Sequence, residues 1–294
     1  MTERRHLDAG AIATMVLLTS IWGFTQVAIK LAANDVSVVM QAGLRSVISV
    51  LLLLAWARWH RIALFARDGT WWPGVVAGAL YAGEFFFVYG GLAYTSASRM
   101  VVFVYLAPVL TAVGVHLFVA GEKLAGIQWL GVAVAFGGVA VAFGDGFFSD
   151  PSSLLGDAFG IIAAFLWAIT TVVIRTTSLS NASPSKTLLY QIGIAALFLP
   201  LVSVLIGEPG VIALTPVAIA SIAFQGIIVS FASHLAWFWL LTRFLAGRLA
   251  AFSSLAPLFG VLGGVLILGE PLRPQFAVAA VFVVLGIYLV NKRS

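Results

Sequence analysis

Apolar runs of helix length follow one another along the whole chain, separated by short polar linkers. A bilayer core about 30 Å thick requires roughly 20 apolar residues per helix. On that rule the pattern predicts an all-α integral membrane protein with ten transmembrane helices and no separate soluble domain. The predicted spans are 11–33, 36–57, 71–94, 98–119, 125–143, 154–176, 184–206, 214–241, 247–268 and 274–291.

A segment of the fourth predicted span recurs in the ninth. Residues 99–117 and 248–266, separated by 149 positions, are identical at seven of nineteen positions. Each copy is followed by a Gly-Glu pair, Gly121-Glu122 in the first and Gly269-Glu270 in the second. We therefore infer a tandem duplication of a five-helix unit.

A proline lies near the middle of both copies, at Pro108 and Pro257. Proline removes a backbone donor and kinks or breaks a helix. Broken apolar helices at matching positions of two repeats indicate the binding site of a transporter. We therefore predict helix breaks that act as hinges at these two residues.

The composition is that of a membrane protein. Hydrophobic residues make up 62% of the 294 residues and charged residues only 9%, with a mean hydropathy of +1.09. A soluble domain would carry about a quarter charged residues, so the expected partner is the lipid bilayer. The net charge of +5 comes from scattered single residues, which does not indicate a nucleic-acid partner. Cysteines, phosphate-binding loops and paired metal-binding histidines are absent, so we expect no cofactor, no metal and no enzymatic activity.

Basic residues in the loops set the predicted orientation, because they accumulate on the cytoplasmic side. With the N-terminus inside, twelve lysines and arginines fall on the cytoplasmic side and three on the outer side, with Arg45 inside a span. Both termini are then cytoplasmic. Five helices per repeat give the two repeats opposite orientations, so we predict an inverted pair with the boundaries 1–148 and 149–294.

The third predicted span carries a polar and aromatic face, where lipid-facing residues would be aliphatic. Its members, spaced as on one side of a helix, are Tyr81, Glu84, Phe85, Val88 and Tyr89. The repeat offset carries this face to Ser230, Ser233, His234, Trp237 and Phe238 in the eighth span. We predict that the two faces meet across a central cavity.

Glu84 is the most informative of these residues, because a charged side chain at the centre of a membrane helix costs about 2.5–3.5 kcal/mol and normally faces protein or water. Arg45 lies at a similar depth, about 12–14 Å from the outer side at 1.5 Å per residue. We predict an interaction between the two, directly or through substrate or water. The alternative is that each is satisfied separately inside the helix bundle.

His234 is either a proton carrier, because imidazole titrates near physiological pH, or a hydrogen-bonded packing residue. Candidates for the cavity lining, with core or interface packing as the alternative, are Trp22, Gln26, Tyr81, Tyr89, Tyr105, Trp167, Gln225 and Trp237. Small-residue pairs that permit close helix approach are Gly74/Gly78, Gly156/Gly160 and Gly260/Gly264.

At these residues the chain resembles the EamA type of the drug/metabolite transporter superfamily, whose members contain two repeated five-helix units. The resemblance covers nearly the whole chain. Within the superfamily the chain is most similar to the YddG-type exporters of aromatic and other neutral amino acids and methyl viologen. The matching features are Trp22-Gly23 with Lys30, Leu44-Arg45, and the two Leu-Ala-Pro and Gly-Glu motifs. In the second half Ala168 replaces the glycine and Ala195 replaces the arginine, so the charge pair has no second copy.

The resemblance implies a secondary transporter of small-molecule substrates in the bacterial inner membrane, working by alternating access around a cavity between the third, fourth, eighth and ninth spans. An amino acid would place its ammonium at Glu84 and its carboxylate at Arg45, and an aromatic side chain would pack on the tyrosines or tryptophans. The alternatives are a carrier of another metabolite or drug class and an intramembrane enzyme. We take a monomer as the working expectation.

Overall fold

The computed structural model describes residues 8–66, 68–118, 123–243, 255–272 and 274–292. These residues form helices joined by short loops, with one isolated β-bridge between Val36 and Val211. The first half of the chain contains α1 (Ala9–Ala32), α2 (Val38–Trp59), α3 (Trp71–Gly91), α4 (Ala97–Val104), α5 (Ala107–Phe118) and α6 (Gly126–Ser149). The second contains α7 (Leu154–Thr176), α8 (Pro184–Leu205), α9 (Pro216–Ala223), a π-helix (Phe224–Ser233), α10 (His234–Arg243), α11 (Ala256–Leu268) and α12 (Pro274–Asn291).

Helical residues occur in each of the ten intervals predicted from hydropathy. Within the described ranges, seven helical segments are long and apolar enough to cross a membrane, whereas the apolar stretches in α6, α11 and α12 have 10–17 residues. The all-α membrane fold is thus confirmed, while the full set of ten spans and the orientation of the termini stay predictions. The Gly121-Glu122 motif and the first part of the second repeat segment, 248–254, lie outside the described residues.

Two glutamates in loops cap helices from the other half of the chain. Glu270 accepts hydrogen bonds from the backbone amides of Ala97 and Ser98, at 2.7 and 2.9 Å, at the start of α4. Glu208 accepts from the amides of Val39 and Met40, both at 3.2 Å, at the start of α2. A carboxylate at a helix N-terminus satisfies amides that have no partner within the helix and interacts favourably with the helix dipole. These caps fasten the two halves together at the loops.

Glycines allow the helices to approach closely, as the small-residue pairs predict. A Cβ on Gly74 would lie 2.5 Å from the Tyr190 ring, and one on Gly260 would lie 2.6 Å from Val101. The other four glycines of the three pairs also face a neighbouring helix at less than contact distance. Without a hydrophobic driving force between helices in lipid, this backbone proximity supplies much of the packing energy.

The helix contacts keep their pattern when the two halves are exchanged. α3 packs on α7 and α8, and its counterpart, α9 with the π-helix, packs on α1 and α2. Likewise α1 packs on α11, and α7 packs on α4 and α5. The pairs α2 with α8, α6 with α12, and α4 with α11 map onto themselves. This exchange is the pattern that a duplicated five-helix unit related by a two-fold axis would produce.

A polar cluster joins the α2–α3 loop to the start of α8. Lys186 Nζ donates to Asp68 Oδ1 at 2.7 Å and to the Ala66 carbonyl at 2.6 Å. Hydrogen bonds from Lys186 and Thr70 lower the pKa of Asp68 from 3.8 to about 2. Because the folded-state pKa is lowered, this interaction stabilises the fold above the ordinary pKa and is lost as the pH falls towards 2.

Two adjacent glycines of α6 offer a matched test of the helix packing. A Cβ on Gly138 would lie 2.8 Å from the Ala279 carbonyl and from Phe282 Cβ in α12, whereas one on Gly137 would meet nothing within 4 Å. We expect Gly138→Leu to destabilise the protein by about 1–3 kcal/mol through overpacking, and Gly137→Leu to be close to neutral. Thermal unfolding of both purified variants in detergent measures the difference. Equal unfolding temperatures would show that α6 and α12 do not pack in this register.

Candidate functional site

Arg45 lies at the centre of a buried polar cluster between α2 and α3. Its side chain is 1% exposed, and its two terminal nitrogens donate to the hydroxyls of Tyr81 and Tyr89, at 3.2 and 3.3 Å. The guanidinium carbon lies 3.9 Å from the centre of the Phe85 ring. Arg45 Nε is enclosed and has no hydrogen-bond partner in the described part of the chain. Three aromatic residues on one face of α3 therefore contact the guanidinium of Arg45, which projects from α2.

The cluster continues from Tyr89 into the π-helix. The Tyr89 hydroxyl donates to Gln225 Oε1 at 2.6 Å, and Gln225 Nε2 donates to Gln41 Oε1 at 3.0 Å and to Ser221 Oγ at 2.9 Å. Gln41 in turn donates to the carbonyls of Ile29 and Val36. The relay connects α1, α2, α3 and the second repeat through side chains that are almost fully buried.

Glu84 lies on the same face of α3 and is 6% exposed. It forms no hydrogen bond and no ion pair with any described residue, although Arg45 and Tyr105 are within electrostatic range. The predicted Glu84–Arg45 interaction is therefore absent as a direct contact, and its form mediated by substrate or water stays a prediction. The terminal nitrogens of Arg45 bond instead to Tyr81 and Tyr89, and its Nε keeps no partner among the described residues.

Two aromatic pairs flank this polar centre. Trp22 Nε1 donates to Ser233 Oγ at 2.9 Å, and its ring meets that of Trp237 edge-on at 5.7 Å. Tyr105 and Trp167 form a second edge-on pair, also at 5.7 Å. The four aromatic candidates thus form two separate contacts. One joins α1 to α10, and the other joins the α4–α5 break to α7.

Gln26 and His234 bond to nearby backbone. With its amide oriented so that the nitrogen donates, Gln26 lies 3.2 Å from the carbonyls of Trp22 and Gly23 on its own helix. His234 Nδ1 lies 2.9 Å from the Val229 carbonyl, five residues earlier. Both side chains are held by their own segment, which is the packing interpretation, and the proton-carrier role of His234 stays a prediction.

The π-helix is a feature that the sequence analysis missed. A π-helix closes its hydrogen bonds between residues five apart and is frequent at functional sites. The face carried over from α3 assumed α-helical spacing in the eighth span, and that spacing does not hold across Phe224–Ser233. Gln225 contacts α3, whereas Ser233 and Trp237 contact α1.

Both prolines lie at the start of a helix. α4 ends at Val104 and α5 begins at Ala107, which places Pro108 in the first turn of α5. Pro257 has the same position in α11, which begins at Ala256. Proline is tolerated there because the first amides of a helix have no partner within it. A two-residue interruption between α4 and α5 lies just before Pro108, and the action of either proline as a hinge stays a prediction.

A buried ion pair that the sequence analysis did not identify joins α4 to α7. Arg99 donates to both carboxylate oxygens of Asp157, with Nε at 3.1 Å from each. The Thr95 hydroxyl adds a bond of 2.7 Å to the same carboxylate, which is 0% exposed. The signal was available, because Asp157 is a charged residue within a predicted span and the cost argument used for Glu84 applies to it as well.

A groove of about 580 Å³ between α5 and α7 is chemically different from this polar centre. Its lining is almost entirely aliphatic and aromatic, and includes Leu110, Val113, Phe165 and Val172. The groove offers no charged or hydrogen-bonding side chain other than Thr176. The lining of the groove therefore offers no partner for a charged group of a metabolite.

A helical membrane fold with a buried, charged and aromatic centre is typical of the transporter class. The sequence profile of the EamA-like transporter family matches the chain twice, over residues 9–144 and 154–292. The chain belongs to the EamA-like transporter family, within the drug/metabolite transporter superfamily. The resemblance stated from the sequence motifs is thus confirmed.

Relatives along the full length agree with this assignment. An uncharacterized transporter of Archaeoglobus fulgidus is 26% identical over 305 residues, covering 100% of this chain and 99% of the relative. A probable amino-acid metabolite efflux pump of Escherichia coli is 22% identical over 290 residues, covering 95% of this chain and 93% of the relative. A protein of known crystal structure, 18% identical, shares the fold with a TM-score of 0.68 over 96% of this chain and 97% of that one.

Among the described residues the Tyr89 hydroxyl links Arg45 to Gln225, and a phenylalanine at this position would remove only that hydroxyl. Tyr89→Phe leaves a buried donor and a buried acceptor unpaired, and each such group costs about 1–3 kcal/mol. We expect a lower unfolding temperature than that of the wild type, measured in detergent by tryptophan fluorescence. Tyr288→Phe is the control, because Tyr288 is 51% exposed. If the two variants unfold together, the bridge does not contribute to stability.

Proposed function

We propose that this membrane transporter exports small amphipathic metabolites, aromatic and neutral amino acids or methyl viologen-like cations, by alternating access across the bacterial inner membrane. The observation that carries the proposal is Glu84, a buried carboxylate that forms no hydrogen bond or ion pair with the described residues and lies on the α3 face that holds Arg45. The Escherichia coli relative, whose name describes a probable amino-acid metabolite efflux pump, supports the export of amino acids. The family and its relatives are transporters, which favours a carrier over an intramembrane enzyme.

The loop contacts support the predicted topology of ten spans with two inverted repeats. Alternation from a cytoplasmic N-terminus places the α1–α2 and α8–α9 loops on the outer side, and Asp35 accepts a 2.5 Å bond from Thr215 between them. It places the α5–α6 loop and the end of α12 inside, and Gln128 donates to the Val290 carbonyl at 2.8 Å. Both contacts join segments assigned to the same side, which agrees with this topology. In such a topology a two-fold axis lies in the membrane plane, and one repeat would rock against the other.

Flux measurement tests the proposed activity. In liposomes containing the purified protein, we expect exchange of labelled phenylalanine, and we expect Glu84→Gln to reduce it about tenfold or more. The reason is that the variant loses a charge-assisted contact worth about 1.5–3 kcal/mol, where 1.4 kcal/mol corresponds to tenfold.

Asp150→Asn is the matched control for that experiment, because it also removes one negative charge but lies at an exposed position before α7. This variant should transport at the wild-type rate. Undiminished exchange by a correctly folded Glu84→Gln protein would remove the carboxylate from the proposed site. Absence of exchange for amino acids and for organic cations alike would contradict the proposed function.

The absence of native cysteine makes the orientation directly testable. Asp150→Cys lies in a loop predicted to be outside, and Ser180→Cys lies in one predicted to be inside, and both positions are exposed. In intact cells a membrane-impermeant maleimide should label the first variant only, and in opened membranes it should label both. The reverse pattern in intact cells would contradict cytoplasmic termini.

A further inference from the structure

The α2–α3 connection, residues 58–72, exposes large aromatic side chains at both ends and in its middle. Trp59, the last residue of α2, is 84% exposed, Phe65 in the loop is 79% exposed, and Trp72 in the first turn of α3 is 73% exposed. None of these three rings contacts the ring of another described residue. Aromatic side chains concentrate at the boundary between bilayer and water, at the level of the lipid headgroups. These three rings therefore indicate a segment at the membrane surface.

Two arginines in the same connection carry charges that the described residues do not neutralise. Arg58 and Arg61 are exposed, and neither side chain forms an ion pair or a hydrogen bond with a described residue. They are three residues apart, so their Cα atoms lie within about 11 Å of each other. The acidic residue closest to them in sequence, Asp68, already binds Lys186 and Thr70. The connection therefore presents positive charge next to exposed aromatic rings.

The backbone of Arg61 adds to this picture. At the end of α2 the Ile62 amide donates to the Ala57 carbonyl at 2.9 Å, and Arg61 has a φ of 54°. Glycine is the usual residue at this position of a helix end, because a side chain is disfavoured in the left-handed conformation. Within the described ranges no other residue except glycine has a positive φ. An arginine at this position indicates a use for its side chain rather than a requirement of the turn.

The corresponding loop in the second half of the chain lacks these features. α8 and α9 are the counterparts of α2 and α3, and the loop between them, 206–215, contains no aromatic residue, no lysine and no arginine. Its one charged residue, Glu208, caps α2. Joining these two helices therefore requires neither the rings nor the arginines. Their role is better sought outside the bundle.

An anionic phospholipid is the partner whose chemistry fits the α2–α3 connection. Arginine binds phosphate oxygens through charge-assisted hydrogen bonds, and basic segments beside membrane helices attract anionic lipids. A soluble anion would satisfy the arginines but would leave the aromatic rings in water. A lipid satisfies both, because its acyl chains begin where its headgroup ends.

We propose that the α2–α3 connection is a binding site for an anionic phospholipid, with Arg58 and Arg61 on its phosphate and the exposed rings beside its glycerol and upper acyl chains. This proposal goes beyond the transport function and does not depend on the substrate. Only the choice of leaflet depends on the proposed orientation, which places the connection on the cytoplasmic side.

Lipid binding to the wild-type protein tests the proposal without any substitution. Dioleoylphosphatidylglycerol and dioleoylphosphatidylcholine have the same acyl chains and differ in net charge. In detergent, we expect the first to raise the unfolding temperature at a concentration at least tenfold lower than the second, since each arginine near a lipid surface contributes about fivefold. Soluble sn-glycerol 3-phosphate should have no effect. Equal potency of the two lipids, or an equal response to the soluble phosphate, would overturn the proposal.

Two double variants locate the site. Arg58→Gln with Arg61→Gln should fold normally in detergent, because both positions are exposed, and should lose the preference for phosphatidylglycerol about tenfold or more. Arg58→Lys with Arg61→Lys should keep much of it, because lysine retains the charge. An unchanged preference in the glutamine variant would place the lipid elsewhere and contradict the proposal.

Lys123→Gln with Lys292→Gln is the matched control, because it removes two exposed basic residues predicted to be on the same side of the membrane. This variant should bind phosphatidylglycerol as the wild type does. A loss equal to that of the arginine variant would show that only overall charge matters, which is also incompatible with a site at the α2–α3 connection. None of these measurements involves transport, so failure of the lipid site and failure of the proposed function are separate outcomes.

Discussion

The structure of the bundle centre depends on how Arg45 is held. A charged side chain in the middle of a membrane helix costs about 2.5–3.5 kcal/mol on insertion scales. Hydrogen bonds to a charged group contribute about 1.5–3 kcal/mol each, and Arg45 makes two, to Tyr81 and Tyr89. A desolvated cation–π contact such as that with Phe85 adds about 2 kcal/mol. The contacts from the aromatic face of α3 are therefore of the size needed to offset the membrane's penalty on this charge.

The site is asymmetric although the fold repeats. The helix contacts exchange between the halves, yet the position corresponding to Arg45 in α8 is Ala195, which is fully buried. The relay through Tyr89 and Gln225 crosses from the first half of the chain to the π-helix in the second. Any motion of one half against the other would have to bend or break this relay. The charged centre lies in the first half, and the second half supplies amide and hydroxyl groups to the relay.

The sequence predicted most of the fold because the membrane imposes a simple rule. Each apolar run must satisfy its own backbone, which leaves the helix as the structure available to it, and the repeated Leu-Ala-Pro motif marked the α4–α5 break at Pro108. The π-helix could not be predicted, because hydropathy does not distinguish bonds spaced by four residues from bonds spaced by five. Depth along the helices placed Arg45 and Glu84 at one level, but depth carries no information on rotamers or on tyrosine hydroxyls. Asp157 was predictable from its charge.

The different bonding of the two charges bears on how a ligand could drive a conformational change. A ligand shifts an equilibrium only as far as its affinities for the two states differ. The two terminal nitrogens of Arg45 already have tyrosine partners, so a ligand in this state would add contacts there only at the remaining N–H groups, the unpaired Nε–H among them. Glu84, enclosed and without a hydrogen bond or ion pair among the described residues, would gain its first such contact from a ligand. Binding at Glu84 would therefore favour the enclosed arrangement around it, and release would require that α3 or its neighbours give this carboxylate access to water.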